Sequence, residues 1–261
     1  MILEVKDLSV SYKSKLKYVD ALKRVSWGIK EGEILGIVGE SGSGKSTLAL
    51  SILNLLPFNS KTQGEIIFNH KNIFKAKEKE SEVLRGNQIG LIFQEPASTF
   101  NPVLSISYQF NEILRSKLKI KNKESREKII FDSLEKTRVR DQKRILKSYP
   151  HQLSGGQLQR VAIAVAIALQ PTLLIADEPT SSLDVTIESQ IVHLFKELRD
   201  KYKLTIIFIT HNLDLVKALC DRVVVLYQGQ VREVKTKEEL FENPEDEYTK
   251  SLLDSFSELE G

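Results

Sequence analysis

The sequence predicts an α/β fold with a mostly parallel core sheet, an antiparallel β lobe and an inserted helical lobe. Three observations predict it. Short, nearly all-apolar runs recur ahead of turns and helical stretches, at residues 34–38, 89–93, 173–176, 206–209 and 223–226. Strands buried on both faces lose the polar alternation of half-exposed ones, so such runs belong to a parallel sheet covered on both sides. Residues 2–12 and 21–29 alternate apolar and polar side chains instead, the period of half-buried antiparallel strands. From Pro96 to about residue 161 the pattern turns helical and polar, with a charged stretch at 117–128 and an amphipathic one at 129–139.

Taken in order, the two alternating segments form the β lobe and EILGIV supplies the first core strand. The TLALSILNLL run after it is helix-like. The helical lobe is expected at about 96–160. Its last segment, QRVAIAVAIALQ, mimics strand alternation, but its alanine content and the preceding Ser154-Gly155-Gly156 favour a buried helix capped by Ser154. LLIAD and LTIIFIT are further core strands, and a short carboxy-terminal extension is expected at about 235–261. With no internal repeat and no low-complexity linker, residues 1–261 read as one domain.

Composition bounds the chemistry. A hydrophobic share of 41%, a charged share of 28% and a net charge of +3 describe an ordinary globular chain without the excess of basic residues that nucleic-acid surfaces carry. Cys220 is the only cysteine, which rules out an intrachain disulfide and any site needing several thiolates, and suits a reducing compartment. The amino terminus lacks a basic start followed by an apolar run, so no secretion signal is expected, and the apolar run near 161–169 is far short of the roughly 20 residues that cross a bilayer.

Gly39-Glu40-Ser41-Gly42-Ser43-Gly44-Lys45-Ser46-Thr47 lies between an apolar strand and a helix, the context that a phosphate-binding loop requires. Glycines let backbone N–H groups converge on an anion, the helix amino end adds partial positive charge, Lys45 reaches the outer phosphates, and Ser46 offers a hydroxyl to Mg²⁺. Further on, a buried strand ends in Asp177 and Glu178, whose side chains leave opposite faces of extended backbone. They can therefore divide the work, Asp177 holding Mg²⁺ and Glu178 polarising the attacking water as general base.

Leu153-Ser154-Gly155-Gly156-Gln157 identifies the chain as resembling the ABC ATPases. The order of the other motifs agrees: Gln94 in FQEP resembles the Q-loop, the segment ending in Asp184 the D-loop, and His211 in FITHN the switch histidine. The resemblance implies a P-loop NTPase core of the ABC ATPase fold. It also implies a head-to-tail dimer, in which the phosphate loop of one subunit and Ser154, Gly155, Gly156 and Gln157 of the other enclose each ATP. On the same grounds Tyr12 stacks on adenine, Gln94 senses Mg²⁺ and the membrane subunits, Asp184 links the two sites, and His211 hydrogen-bonds the γ-phosphate.

The words FQEPASTFNPV, YPHQLSGGQLQRVAIA, ADEPTSSLDVT, ITHNLDLV and ENPEDEYTKSLL resemble the ATP-binding subunits of dipeptide, oligopeptide and nickel importers. That resemblance implies two transmembrane permease subunits, an extracytoplasmic substrate-binding protein and a second ATPase subunit, a heterodimer being favoured. It places the chain on the cytoplasmic face of the cell membrane as a peripheral subunit. Phe100, Val103 and Leu104 are expected either to line a groove for a permease helix or to sit in the lobe core. Longer peptide-importer subunits carry a cysteine-bearing tail after a YTKSLL-like segment, and the sequence ends at Gly261 without one, as nickel-type and some peptide-type subunits do. DNA-repair relatives insert a long coiled coil and translation factors join two ATPase domains; neither pattern is present, and no nucleic-acid partner is expected.

Overall fold

The computed structural model describes residues 1–14 and 17–260, so residue 261 of the expected carboxy-terminal extension lies outside the described residues. The chain divides into two compact units, Met1–Ser81 with Thr205–Gly261, and Glu82–Leu204. In chain order the first unit opens with β1 (Leu3–Lys13), β2 (Tyr18–Ile29), β3 (Ile34–Val38), α1 (Lys45–Ile52), β4 (Ser60–Phe68) and β5 (Lys71–Asn72), and α2 (Glu78–Val83) falls at the boundary. The second unit holds β6 (Ile89–Ile92), α3 (Pro96–Thr99), α4 (Ile106–Lys117), α5 (Lys123–Lys136), α6 (Gln142–Lys147), α7 (Gly155–Ala168), β7 (Leu173–Asp177) and α8 (Val185–Tyr202). The chain then returns to the first unit with β8 (Thr205–Ile209), α9 (Leu213–Leu219), β9 (Arg222–Tyr227), β10 (Gln230–Thr236), α10 (Lys237–Glu242) and α11 (Glu247–Glu260).

Within the first unit, the predicted antiparallel segments become β1 and β2, and β4 joins the other edge of β1 to give the order β2-β1-β4-β5. The core strands run in the order β10-β9-β3-β8, with β3 parallel to both β9 and β8. Every residue of β3 and β8 is buried, which is why ILGIV and TIIFI carry no polar alternation. β10 is antiparallel to β9, and its half-buried sequence QVREVKT gave no apolar run to read.

In the second unit β6 and β7 pair in parallel from Ile89↔Leu173 to Ile92↔Ala176. Its helices close over a core that includes Ile106, Phe110, Leu114, Leu134, Ile145 and Val161. Of the amphipathic stretch expected at 129–139, residues 129–136 form the later part of α5 and 137–139 lie beyond its end. That helix starts at Lys123, where the Asn122 side chain accepts from Ser125 N–H, and stops at Lys136 as Arg138 turns left-handed at φ +57°. QRVAIAVAIA lies in α7, capped by Ser154 and apolar nearly all round because it is buried nearly all round. Of the two placements expected for Phe100, the lobe core is the one observed: it is 5% exposed and belongs to this core, whereas Val103 is 74% exposed.

Candidate functional site

In the first unit, β3 delivers the chain into the phosphate loop. Gly39 adopts φ +153°, and a Cβ there would stand 2.0 Å from the carbonyl oxygen of Leu226 on β9, so only glycine fits this exit from the strand. Gly44 precedes α1 as its N-cap and supplies no side-chain cap, and no acidic residue occupies the first turn, which leaves the positive helix end open to an anion. Lys45 is 6% exposed and folds back over the loop, its Nζ donating to the carbonyls of Gly39 (2.7 Å) and Glu40 (2.9 Å). Ser43 N–H closes a turn on the Glu40 carbonyl at 3.1 Å, and the buried Ser43 Oγ has no hydrogen-bond partner among the described residues. A polar cradle with an unspent hydroxyl and a positive helix end fits the phosphates of a nucleotide. Ser41, Gly42 and Ser46 are exposed along the same loop.

Tyr12, near the end of β1, is half-buried and donates its hydroxyl to Thr47 Oγ1 at 3.2 Å, so the expected adenine-stacking residue is tied to α1. His211 follows β8 and is exposed. Its turn is held because Thr210 N–H donates to the Ile37 carbonyl at 3.2 Å, while the Asn212 side chain caps α9 by accepting from Asp214 N–H. Since β3 and β8 are parallel, the phosphate loop and His211 leave the sheet at the same end. One contact with the loop gave no sequence signal: Glu40 N–H donates to the Tyr248 hydroxyl of α11 at 3.3 Å.

In the second unit, parallel pairing puts the exits of β6 and β7 side by side. Gln94 Nε2 donates to Glu178 Oε2 at 3.0 Å across 84 residues of sequence, a pairing that no local pattern reveals. Glu178 occupies the left-handed region at φ +46°, an uncommon conformation for a residue with a Cβ, and the half-buried Asp177 precedes it. The Ser181 N–H and hydroxyl both donate to the Glu178 carbonyl, at 3.3 and 3.2 Å, which holds the turn after the strand.

Asp184 is the N-cap of α8, its Oδ1 accepting from Ile187 N–H at 3.0 Å. Ser154 caps α7 reciprocally: its Oγ accepts from Gln157 N–H at 3.4 Å and Gln157 Oε1 accepts from Ser154 N–H at 3.2 Å. Ser154 and Gly155 are exposed. A Cβ on Gly156 would stand 2.7 Å from Ile187 Cγ2, so this glycine also lets α7 approach α8. The structure therefore gathers Ser154, Gly155, Gly156, Gln157 and Asp184 around the amino ends of two helices, and Gln94, Asp177 and Glu178 at the exits of two strands.

The model of the ABC transporter family matches residues 22–181. The chain belongs to that family. It is an ABC cassette of the ATP-hydrolysing class, and its α/β architecture with parallel core strands is that of the family's solved members. The oligopeptide transport ATP-binding protein OppD of Bacillus subtilis is 44% identical over 261 residues, 99% of this chain and 73% of that protein. The dipeptide transport ATP-binding protein DppD of the same organism is 41% identical, over 99% of this chain and 78% of its own length. Among solved structures, the dimeric post-hydrolysis state of the ATP-binding cassette MJ0796 bound to ADP and Pi matches with a TM-score of 0.80 at 31% identity. That match covers 90% of this ABC chain and 98% of the other. CbiO1 of Clostridium perfringens, part of the complex cbiONQ, matches at TM-score 0.79 and 32% identity, covering 93% and 91% of the two chains.

Proposed function

We propose that this ABC ATPase powers the import of dipeptides or oligopeptides, with Ni²⁺ as the other cargo its subfamily words allow. The observation that carries this reading is identity of 40–44% along nearly the whole chain to proteins named as peptide and dipeptide transport subunits. No helix among the described residues is long and apolar enough to cross a membrane. The resemblance to peptide-importer subunits supports assigning the spanning path to two permease subunits. An extracytoplasmic binding protein presents the cargo, and a second, different ATPase subunit completes the pair. The chain then works as a peripheral subunit on the cytoplasmic face of the membrane, residues 1–261 acting as one ATP-binding domain with the helical lobe inserted at about 96–160.

In this reading Lys45, Ser43 and the N–H groups of the loop hold the ATP phosphates, with Tyr12 beside the base. Ser46 in the first unit and Asp177 in the second each carry an oxygen of the kind that would suit Mg²⁺. Glu178 takes a proton from the attacking water, oriented by the amide of Gln94, and His211 steadies the γ-phosphate. Ser154, Gly155 and Gly156 serve the nucleotide of the partner subunit.

The test is reconstitution in proteoliposomes with the permeases, ATPase and binding protein encoded beside it, offering peptides and Ni²⁺ separately. Peptide uptake with peptide-stimulated ATP turnover is the expected result. Stimulation by Ni²⁺ alone would reassign the cargo, and turnover indifferent to every membrane partner would move the chain to a non-transport role on nucleic acid or ribosomes.

A further inference from the structure

We infer that Tyr248 is a positioning residue for nucleotide binding, through which the carboxy-terminal helix fixes the first peptide of the phosphate loop. The inference rests on the reading that this loop holds the phosphates of ATP. The peptide joining Gly39 to Glu40 is anchored at both polar groups by side chains from elsewhere. Its carbonyl accepts from Lys45 Nζ at 2.7 Å, and its N–H donates to Tyr248 Oη at 3.3 Å. A peptide is planar, so two anchors on its opposite edges set the orientation of the whole unit. That unit carries the carbonyl on which Lys45 rests, and Lys45 is the cation that meets the phosphates.

Tyr248 is itself held from three directions. Its ring stacks on Tyr227 at a centroid distance of 3.9 Å and an angle of 22°, and the Arg232 guanidinium lies 5.4 Å from the Tyr227 ring. Tyr227 ends β9, the strand whose Leu226 carbonyl leaves no room beside Gly39. At the start of α11, Asp246 Oδ1 accepts from the N–H groups of Tyr248 (2.9 Å) and Thr249 (3.3 Å). Just ahead of it, the buried Glu233 on β10 accepts from Glu245 N–H (2.6 Å) and Asp246 N–H (3.2 Å), and Lys235 bridges Glu233 and Glu245 at 3.2 and 2.9 Å. Burial alone would raise the Glu233 carboxyl; these N–H groups and the ammonium outweigh it and keep the group below its ordinary range, charged at neutral pH. Burial raises the Tyr248 phenol above its usual range, so the hydroxyl stays neutral.

This is more than packing. Glu40 is exposed, so water replaces a lost hydroxyl at its N–H and the fold loses little. What is lost is the preset plane, which must then be ordered when nucleotide arrives.

The test compares ATP and ADP binding by calorimetry for the full chain and Tyr248→Phe, which keeps the stacked ring. Both affinities are expected to weaken by about 3–10-fold, the reach of one neutral hydrogen bond. The loss should fall on KM rather than kcat, with the melting temperature of the nucleotide-free protein shifting by no more than about 2 °C. Unchanged affinities in Tyr248→Phe would overturn the proposal. A wild-type chain that binds neither nucleotide would overturn it together with the ATP-site reading, and the wild-type titration tells the two failures apart. Glu233→Gln, which loosens the start of α11 without touching the ring, is expected to weaken ATP binding in the wild type and to add little in the Tyr248→Phe background. Equal effects in both backgrounds would refute a route through the hydroxyl.

Discussion

Glu178→Gln should lower ATP turnover by at least about 10²-fold, the contribution of a positioned general base, and leave ATP affinity within about threefold of wild type. The substitution is nearly isosteric and keeps an oxygen for the Gln94 amide that now donates to Glu178 at 3.0 Å. It removes only the charge and basicity on which the proposed general-base role depends. The left-handed backbone at Glu178 and the two bonds from Ser181 to its carbonyl hold the turn whatever the side chain, so the variant should fold. Single-turnover hydrolysis alongside equilibrium binding separates the outcomes: retained binding with lost chemistry supports the base, and turnover within tenfold of wild type would assign the proton to another group.

The second large effect concerns binding itself. Lys45→Met keeps the buried aliphatic stem of a side chain only 6% exposed while deleting the ammonium that donates to the Gly39 and Glu40 carbonyls. Charge-assisted hydrogen bonds to phosphate contribute about 1.5–3 kcal/mol each, so ATP and ADP affinities should fall by about 10²-fold or more. Adenosine, which lacks phosphates, should be affected far less. Calorimetry with all three ligands reads this directly, and an equal loss for adenosine would point to collapse of the loop rather than to a missing phosphate contact.

What is legible in the amino-acid sequence follows a physical line. Continuous apolar runs announce strands covered on both faces, so β3, β6, β7, β8 and β9 were legible. β4 and β10 are half-exposed and polar, and neither announces itself. The phosphate loop is legible because its residues are contiguous and sit between a strand and a helix. The bond from Gln94 to Glu178 and the one from Glu40 to Tyr248 join positions 84 and 208 residues apart, and only the fold decides such distances. Phe100 shows the same limit: an aromatic side chain in a polar stretch suits a groove or a core equally, and its burial in the second unit decides for the core. Tyr12 was singled out only by the family resemblance, as an adenine-stacking aromatic, and its hydroxyl bond to Thr47 left no mark in the sequence.

The cap on α7 carries a last consequence. A hydroxyl oxygen has two lone pairs and one hydrogen, and Ser154 spends a lone pair on the Gln157 N–H. Its hydrogen is uncommitted by that bond and swivels about the Cβ–Oγ axis on the exposed side of the helix end. An incoming oxyanion can therefore be met by this hydrogen without uncapping the helix behind it. In the proposed function, docking and release at this point need only the turn of one proton about one bond, a motion fast and small enough to be repeated in every cycle of a motor without unravelling the element that carries it.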